Sequence, residues 1–292
     1  MKIKSMLLGT AAAAFLTLTA SSAMAQEAEK SAFQCEPGEL YAMNVMVSGV
    51  EYWFPVYEMF KQAAHQMGCD TVYTGTPEYD VNKQIATFEQ VLARQPAGIM
   101  VHPMNSDPFI APINRAVEQG VAVVTFAADS PNSNRAAYIT SNNDREGAAA
   151  ADAIAEAMGG KGEYAVLENP GQDNHDRRVS AFIERMDAKY PDMKLVARAA
   201  SNQDPTKAYN AVLTMHQANP KLGAVFMPEA NSALGAAQAA IETKADIKVM
   251  TADVNAKILD MIKAGRSVWL DQPEPGHSGL YGLYVPVPCC PS

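Results

Sequence analysis

A regular alternation of short apolar runs with amphipathic helical patterns is the feature that most constrains how this chain folds. Four apolar runs between Tyr41 and Phe126 alternate with helical patterns. The run Gly98–Val101 is apolar throughout, which is typical of a strand whose sheet is covered on both faces. Strands that alternate with helices form parallel sheets with right-handed crossovers. The first half of the chain therefore predicts a parallel α/β sheet.

The same alternation restarts near residue 138 and continues to about residue 264. Helices are predicted here at Asp144–Met158, Arg177–Lys189, Pro205–Ala218 and Ser232–Thr243, among others, with strands between them. Two successive sets of similar size predict an α/β fold with two Rossmann-like lobes, each with a parallel sheet, joined by a hinge. We expect residues 39–140 to form the N-terminal lobe and residues 141–272 the C-terminal lobe.

Polar and aromatic side chains gather where the predicted strands end. Ligands of such sheets bind at the carboxyl ends of the strands, where hydrogen-bonding groups can converge on a small polar molecule. The segments concerned are Ser48–Trp53, His102–Asn105, Ala127–Asp129, Glu168–Asp173, Pro228–Asn231 and Ala252–Asn255. We therefore expect a binding site for a small molecule rather than for a macromolecule.

The first 25 residues have the layout of a secretory signal. Lys2 and Lys4 precede an apolar stretch, and the AMA sequence at 23–25 offers the small-x-small pattern that precedes cleavage. A transmembrane helix needs roughly 20 apolar residues, and no later segment offers one. We expect cleavage before Gln26 and a periplasmic location, with a buried N-terminal helix as the alternative. Export excludes most cytosolic enzymes and a DNA-binding role.

Charge and cysteine content narrow the function further. The net charge is −9, which argues against nucleic acid or anionic lipid as a partner. Cys35 and Cys69 could form a disulfide or stay free, whereas the adjacent Cys289 and Cys290 are poorly suited to one. No cysteine–histidine cluster suggests zinc, and no G-x-S-x-G elbow marks a nucleophile. We expect no metal, no cofactor and no enzymatic activity.

Five motifs follow one another in a set order. An aromatic pair, Tyr52-Trp53, opens the first helix in VEYWFPVYEMFKQA, and Arg178 precedes a Phe in DRRVSAF. A strand leads to an Ala-Leu-Gly-Ala helix in AVFMPEANSALGAAQAA, Asp253 follows the next strand in VMTADVN, and Gln272 stands near the last predicted hinge crossing. Over about residues 41–282 these motifs resemble the ribose-binding type of periplasmic substrate-binding protein, the soluble receptor of an ABC importer.

This resemblance implies the type I periplasmic binding protein fold, with a ligand held between two lobes that close around it. The implied ligand is a sugar, a polyol or a similar small solute, and the implied partner is an ABC permease. An aromatic ring can stack on the C–H face of a sugar, while arginine and carboxylate groups can hold adjacent hydroxyls. The expected ligand-binding residues are Tyr52, Trp53, His102, Asn105, Asp129, Asn174, Arg178, Glu229, Asn231, Asp253 and Gln272.

Other functions stay open beside this one. A receptor that presents its closed form to a chemoreceptor or sensor protein is one alternative, and a secreted enzyme on the same fold is another. We expect a monomer in each case.

Several predicted site residues also have simpler structural explanations. Trp53 could be a core aromatic and His102 a loop histidine. Arg178 could be a surface arginine paired with Glu184 or Asp176.

Three more could belong to helix caps. Asp253 could cap the helix predicted from Asn255, and Asn231 could cap the helix predicted from Ser232. Glu229, two residues before Asn231, is open between a ligand-binding role and a structural one.

The first lobe departs from the family pattern at three positions. Val50 stands where Asn is frequent, His102 where Ser is common, and Ala127 where an Asp usually follows the fourth strand, with Asp129 two places on. The first lobe therefore lacks two usual partners of sugar hydroxyls. The ligand stays open between a simple sugar, a polyol, a modified sugar and a more apolar small molecule.

The alternating pattern decays after Gly265, and the chain ends in YVPVPCCPS. The family pattern continues further, so we expect the C-terminal part to be truncated, with residues 273–292 an incomplete return segment of the first lobe. A truncated product should be less stable than a full-length relative and impaired in binding, which is a further alternative to a competent receptor. A natural short tail is the alternative.

Overall fold

The structure, a computed structural model, describes residues 34–253, 255–264 and 268–271. The predicted signal at 1–25, Gln272 and the predicted return segment 273–292 lie outside these residues. The elements of the first lobe are β1 (Leu40–Val45), α1 (Trp53–Gln66), β2 (Asp70–Gly75), α2 (Val81–Leu92), β3 (Gly98–Val101), α3 (Ile110–Glu118), β4 (Ala122–Phe126) and β5 (Ala137–Ile139). Those of the second lobe are α4 (Asn143–Ala157), β6 (Gly162–Glu168), α5 (Asp173–Lys189), β7 (Met193–Ala200), α6 (Pro205–Ala218), β8 (Leu222–Met227), α7 (Ala230–Thr243), β9 (Lys248–Ala252), α8 (Ala256–Lys263) and β10 (Val268–Asp271).

Both lobes contain a parallel five-stranded sheet, and the two sheets have the same strand order. The first runs β2-β1-β3-β4-β5 and the second runs β7-β6-β8-β9-β10. The break between them falls between β5 and α4, because α4 packs on α5 and β9 of the second sheet. Strands β4 and β9 therefore occupy equivalent places in the two lobes. This arrangement confirms the predicted α/β fold with two parallel-sheet lobes.

Each sheet is buried on both faces, as its apolar strands predict. In the first lobe Phe88 and Ile113 pack on one face, while Trp53 and Phe126 pack on the other. In the second lobe α6, α7 and α8 cover one face, and α4 and α5 cover the other. Burial of each large side chain contributes about 1.5–3 kcal/mol to stability.

Helix α5 begins one turn earlier than its hydrophobic pattern predicts. The sequence predicted a start at Arg177, but the helix begins at Asp173. The backbone N–H groups of His175 and Asp176 both donate to the Gln172 carbonyl, so the helical turn forms directly after the Pro170-Gly171 turn. Consequently the segment 173–176, expected to be a loop, presents the first turn of a helix.

A disulfide joins Cys35, just before β1, to Cys69, just before β2, with their Cα atoms 5.3 Å apart. The Cys35 N–H also donates to the Met67 carbonyl at 2.8 Å. This link, one of two alternatives left by the sequence, ties the segment before the first strand to the end of α1. No helix among the described residues is long and apolar enough to cross a bilayer.

Candidate functional site

A cavity of about 260 Å³ lies between the two lobes, at the carboxyl ends of both sheets. From the first lobe it is lined by Met46, Gly49, Val50, Glu51, Tyr52, Trp53, His102 and Ala127. From the second lobe it is lined by Gln172, Asn174, His175, Arg178, Gln203, Glu229, Ala230, Asn231, Leu234, Asp253, Asn255 and Lys257. The first-lobe lining is largely aromatic and apolar, whereas the second-lobe lining is largely polar and charged.

Most of the predicted site residues meet in this cavity. Those that line it are Tyr52, Trp53, His102, Asn174, Arg178, Glu229, Asn231 and Asp253. Asn105 and Asp129 lie outside the lining, and Gln272 lies outside the described residues.

An aromatic cluster centred on Trp53 forms the first-lobe wall. The Trp53 ring lies edge-on to three others, with centroid distances of 4.8 Å to Tyr52, 4.7 Å to His102 and 5.7 Å to Phe126. Trp53 is 2% exposed and belongs to the core under the first sheet. The same ring is therefore part of the core and of the cavity wall.

His102 is a neutral histidine whose backbone N–H and carbonyl groups are both hydrogen-bonded within the first lobe. Its N–H donates to the Asn44 carbonyl, and its carbonyl accepts from Gln84 Nε2 at 2.7 Å. Gln84 Oε1 also accepts from the Met104 N–H, so one buried amide fixes the loop after β3. Burial lowers the pKa of His102 to about 3. The imidazole therefore offers the cavity a neutral hydrogen-bonding group.

Arg178 is the central charged group of the second-lobe wall. Its Nε donates to Glu146 Oε2 at 2.5 Å and its Nη1 to the Pro228 carbonyl at 2.9 Å. Nη1 also lies 3.8 Å from Asp253 Oδ2. Burial opposes the charge, but the Asp253 and Glu146 carboxylates outweigh it and raise the pKa of Arg178. The surface-arginine alternative is wrong, because this side chain is only 8% exposed.

The proposed partners of Arg178 on its own helix also proved wrong. Asp176 instead accepts a hydrogen bond from the Gly171 N–H, and Glu146 comes from the neighbouring helix α4. A side chain on Gly147 would clash with the Arg178 carbonyl, so α4 and α5 approach closely there. This close approach puts Glu146 beside the guanidinium.

The cap assignments near the site differ from the alternatives that the sequence left open. Glu229 is the N-cap of α7, since its carboxylate accepts from the Asn231 N–H at 2.6 Å and the Ser232 N–H at 3.1 Å. Asn231 is thus not the cap of α7. Asn255 caps α8, accepting from Ile258 N–H at 2.9 Å, which leaves the Asp253 carboxylate to face Arg178.

Burial sets the protonation tendencies of the two lining carboxylates. The pKa of Asp253 is raised by burial, although Arg178 opposes that rise. Burial likewise raises the pKa of Glu229, and its hydrogen bonds to the start of α7 oppose the rise. Burial therefore disfavours the charged form of both carboxylates, although Glu229 is buried whereas the Asp253 side chain is 27% exposed.

Asp129 and Asn105 do not line the cavity. Asp129 points into the first lobe, and Asn105 lies at the edge of that lobe. The Asp129 carboxylate accepts from Arg135 Nε at 2.5 Å and from Thr125 Oγ1 at 2.6 Å, which directs it into its own lobe. Asn105 faces the second lobe outside the cavity, since a Cβ on Gly171 would lie 2.7 Å from its Nδ2. Gly171 has a φ of +87°, which favours glycine.

Several buried polar atoms in the lining make no hydrogen bond to any described part of the chain. They are Trp53 Nε1, His102 Nδ1, Gln172 Nε2 and Asn174 Oδ1. A buried polar group left without a partner costs about 1–3 kcal/mol, and native structures contain few such groups. Donors and acceptors are both present, so the cavity suits a ligand that accepts and donates hydrogen bonds, as hydroxyl groups do.

The described residues contain no group of three or more His, Cys, Asp or Glu side chains arranged to hold a metal ion. The cavity lining consists of aromatic faces, amides, imidazoles, a buried arginine with its carboxylates, and the charged side chains of Glu51 and Lys257.

Residues 41–285 match the protein family described as the periplasmic binding protein domain. This chain belongs to the periplasmic binding protein family. The family resemblance carried by Tyr52-Trp53, Arg178 and Asp253 is thereby confirmed.

Two relatives of this chain have names that refer to the binding of a sugar. The D-apiose import binding protein of Actinobacillus succinogenes is 29% identical over 212 residues, covering 71% of this chain and 67% of its own. The D-allose-binding periplasmic protein of Escherichia coli is 25% identical over 259 residues, covering 85% and 83%. Among solved structures, an arabinose binding protein from Geobacillus stearothermophilus shares 33% identity with a TM-score of 0.70 over 80% of this chain and 81% of that one.

Sequence reasoning missed His175, a buried lining residue of this periplasmic binding protein. Asn169 Oδ1 accepts from the Gln203 N–H at 2.8 Å, which fixes the orientation of the amide. Asn169 Nδ2 therefore donates to His175 Nδ1 at 3.0 Å, and the ring proton resides on Nε2. Burial lowers the pKa of His175 well below its usual value. An earlier predicted start for α5 would have placed His175 beside Asn174 and Arg178.

Proposed function

We propose that this periplasmic binding protein is the substrate-binding component of an ABC importer and binds a sugar or sugar-like solute between its lobes. The observation that carries the proposal is the set of unpaired buried donors and acceptors around one cavity, between an aromatic wall and a buried arginine. The names of the relatives, which refer to D-apiose, D-allose and arabinose, support a sugar as the ligand class.

The two walls suit the two kinds of surface on a sugar. The Trp53 and Tyr52 rings suit C–H faces, which pack on aromatic rings. Arg178 uses two of its five N–H groups on Glu146 and Pro228, so others are available to ligand hydroxyls. The cavity lies just below the range of about 300–1,000 Å³ usual for drug-sized ligands, which favours a monosaccharide over a longer chain.

Binding and lobe closure are coupled in this proposal. Both lobes line the cavity, so a ligand engages all of its partners only when the two lobes are together. The lobes proposed to close are residues 39–140 and 141–272. The closed form would then be the one that an ABC permease recognises, with the protein acting as a monomer and without catalysis.

The periplasm is the proposed location. Family membership supports it, and the Cys35–Cys69 disulfide suits an oxidising compartment. The signal layout of the first 25 residues agrees with the same compartment.

A thermal-shift screen with pentoses, hexoses and pentitols tests the proposal. Saturation at 100 times the dissociation constant should stabilise the protein by about 2.7 kcal/mol, and Trp53→Leu should abolish that gain. An absence of stabilisation by any sugar or polyol would contradict the proposal. Loss of sugar uptake in a deletion strain would separate transport from a sensing role, in which uptake would persist.

A further inference from the structure

The residues that follow β4 and β9 are equivalent in the two lobes and adopt the same unusual backbone conformation. Ala127 directly follows β4 with a φ of +57°, and Asp253 directly follows β9 with a φ of +65°. Both line the cavity. The shared strand order of the sheets thus places one residue of each lobe at matching positions on opposite walls.

These two positions differ sharply in what they offer a ligand. Asp253 presents a carboxylate 3.8 Å from the Arg178 guanidinium. Ala127 presents a methyl group, and its wall also includes the apolar side chains of Met46 and Val50. A hydroxyl at the Asp253 position therefore finds a charged partner, whereas a hydroxyl at the Ala127 position meets a methyl group.

The backbone of Ala127 is also occupied by its own lobe. Its N–H donates to the Ile139 carbonyl at 2.9 Å. Its carbonyl accepts from Tyr138 Oη at 3.0 Å and from Thr140 Oγ1 at 3.3 Å, which uses both lone pairs. Neither the side chain nor the backbone of Ala127 is therefore available to a ligand hydroxyl.

We propose that the cavity selects a deoxy sugar, a ligand with a methyl or methylene group in place of the hydroxyl that would face Ala127. The proposal rests on the proposed function of sugar binding and specifies the class of sugar. A hydroxyl at that edge would lose its water without gaining a partner, whereas a methyl or methylene group gains apolar contact. The remaining hydroxyls pair with Arg178, Asp253 and the unpaired buried atoms of the lining.

Calorimetric titration with matched sugar pairs tests the proposal on the full chain. The pairs are L-fucose with L-galactose, L-rhamnose with L-mannose, and 2-deoxy-D-ribose with D-ribose, each differing at one hydroxyl. In at least one pair the deoxy sugar should bind about 10- to 100-fold more tightly. Equal or tighter binding of the parent sugar in every pair would overturn this inference and leave sugar binding intact. Absence of binding by all six sugars would also overturn this inference, and the thermal-shift screen over pentoses, hexoses and pentitols would then decide the proposed function separately.

The variant Ala127→Asp gives the inference a second, independent test. Asp253 adopts the equivalent conformation, and Asp and Asn tolerate positive φ better than most residues, so the variant should fold. The new carboxylate should shift the deoxy-to-parent preference towards the parent by about 10-fold or more. Ala127→Asn, without the charge, should shift it in the same direction.

A matched control separates the cavity from the backbone conformation. Gln95 is exposed with a φ of +53° and lies outside the cavity. Gln95→Asp introduces a carboxylate at the same kind of backbone position but outside the cavity. It should therefore leave the deoxy-to-parent ratio unchanged. An unchanged ratio in both folded Ala127 variants would overturn the inference.

Discussion

The two lobes share one strand order and yet present opposite chemistry to the cavity between them. The first lobe offers Trp53, Tyr52 and a neutral His102. The second offers Arg178 and Asp253, with further amides at the start of α5. The fold thus determines where the two walls lie, whereas the residue types after each strand determine what each wall binds.

The walls also differ in how they are held. In the first lobe the uncharged amide of Gln84 links the loop after β3 to β1 through Asn44. In the second lobe Glu146 holds Arg178 through a buried ion pair. Removal of one member of a buried ion pair leaves an unpaired charge. The second wall should therefore be more sensitive to single substitutions than the first.

The largest effect should come from Arg178→Met, compared with Arg177→Met. Both arginines connect α5 to α4, but the Arg177–Asp144 pair is exposed, with the arginine side chain 47% accessible against 8% for Arg178. Arg178→Met should lower the free energy of unfolding by about 3–5 kcal/mol because Glu146 stays buried without a cation. Arg177→Met should lower it by less than about 1 kcal/mol. Urea denaturation of both variants measures the difference.

Sugar affinity separates the two roles of Arg178. It should fall by about 100-fold or more in Arg178→Met and stay at the wild-type value in Arg177→Met. The double variant Arg178→Met with Glu146→Gln should regain stability and not affinity. Equal losses from the two single arginine variants would contradict the assignment of Arg178 to the site.

Removal of the Cys35–Cys69 disulfide should have the next largest effect, confined to the first lobe. The bridge spans 34 residues, so the variant Cys35→Ser with Cys69→Ser should lose about 3–4 kcal/mol of stability through the loop entropy of the unfolded chain. Hydrogen exchange should show weaker protection in β1 and β2 and unchanged protection in β6 and β8. Equal loosening of both sheets would mean that the lobes do not unfold separately.

Lowering the pH should destabilise both lobes through their buried histidines. Burial lowers the folded-state pKa of His102 to about 3 and that of His175 well below its usual value. Below pH 6.5 the unfolded chain takes up protons that the folded chain does not, so the stability contributed by both buried rings falls with pH, by about 1.4 kcal/mol per pH unit for His102. At pH 5 this amounts to about 2 kcal/mol for His102.

The corresponding measurement compares variants at pH 7 and pH 5. Asp253 and Glu229, whose pKa values are raised, favour the folded chain as the pH falls and so act against the histidines. The informative quantity is therefore the loss of unfolding free energy between pH 7 and pH 5 in the wild type minus the same loss in His102→Asn. That difference should account for about 2 kcal/mol of the acid destabilisation. The exposed His65→Asn variant controls for loss of an imidazole. An unchanged pH slope in His102→Asn would mean that His102 is not buried as a neutral ring.

The smallest effect should come from Gly171→Ala, which opposes the approach of the two lobes outside the cavity. The new Cβ would lie 2.7 Å from Asn105 Nδ2 in the opposite lobe, so sugar affinity should fall about 10-fold. Gly120→Ala is a matched control, with a φ of +83° and no atom within 4 Å of the new Cβ. Both variants carry about 1 kcal/mol of backbone strain.

A second substitution identifies the contact that matters. Asn105→Ala in the Gly171→Ala background should restore most of the affinity but not the stability lost to strain. An affinity loss as large in Gly120→Ala as in Gly171→Ala would contradict a contact between the lobes at this point.

The sequence predicted the lobes and most elements because their signals are local. The predicted bounds of β3, Gly98–Val101, and α6, Pro205–Ala218, agree with the structure. The first is an apolar run that ends at polar residues. The second begins with proline after Asp204, whose side chain caps the helix. The positions of the strand ends also identified most of the predicted residues that line the cavity, because parallel strands bring their carboxyl ends to one edge of the sheet.

The remaining site residues depend on contacts between elements that lie far apart in sequence. Glu146 reaches Arg178 only because α4 and α5 pack closely at Gly147. Asp129 lies close to a strand end, as predicted, but Arg135 draws its carboxylate into the first lobe. His175 was missed because the charged run at 173–177 concealed the start of α5. Such pairings have no periodic signature in the sequence.

Fluorescence of Trp53 tests most directly whether the ligand lies between these two walls. The chain has two tryptophans, and Trp269→Phe leaves Trp53 as the single reporter. Titration of this variant with D-ribose, L-arabinose and L-fucose should give, for any sugar that binds, a saturable emission change whose midpoint equals the calorimetric dissociation constant. Sugar binding detected by calorimetry without any change in Trp53 emission would place the ligand elsewhere and contradict the account.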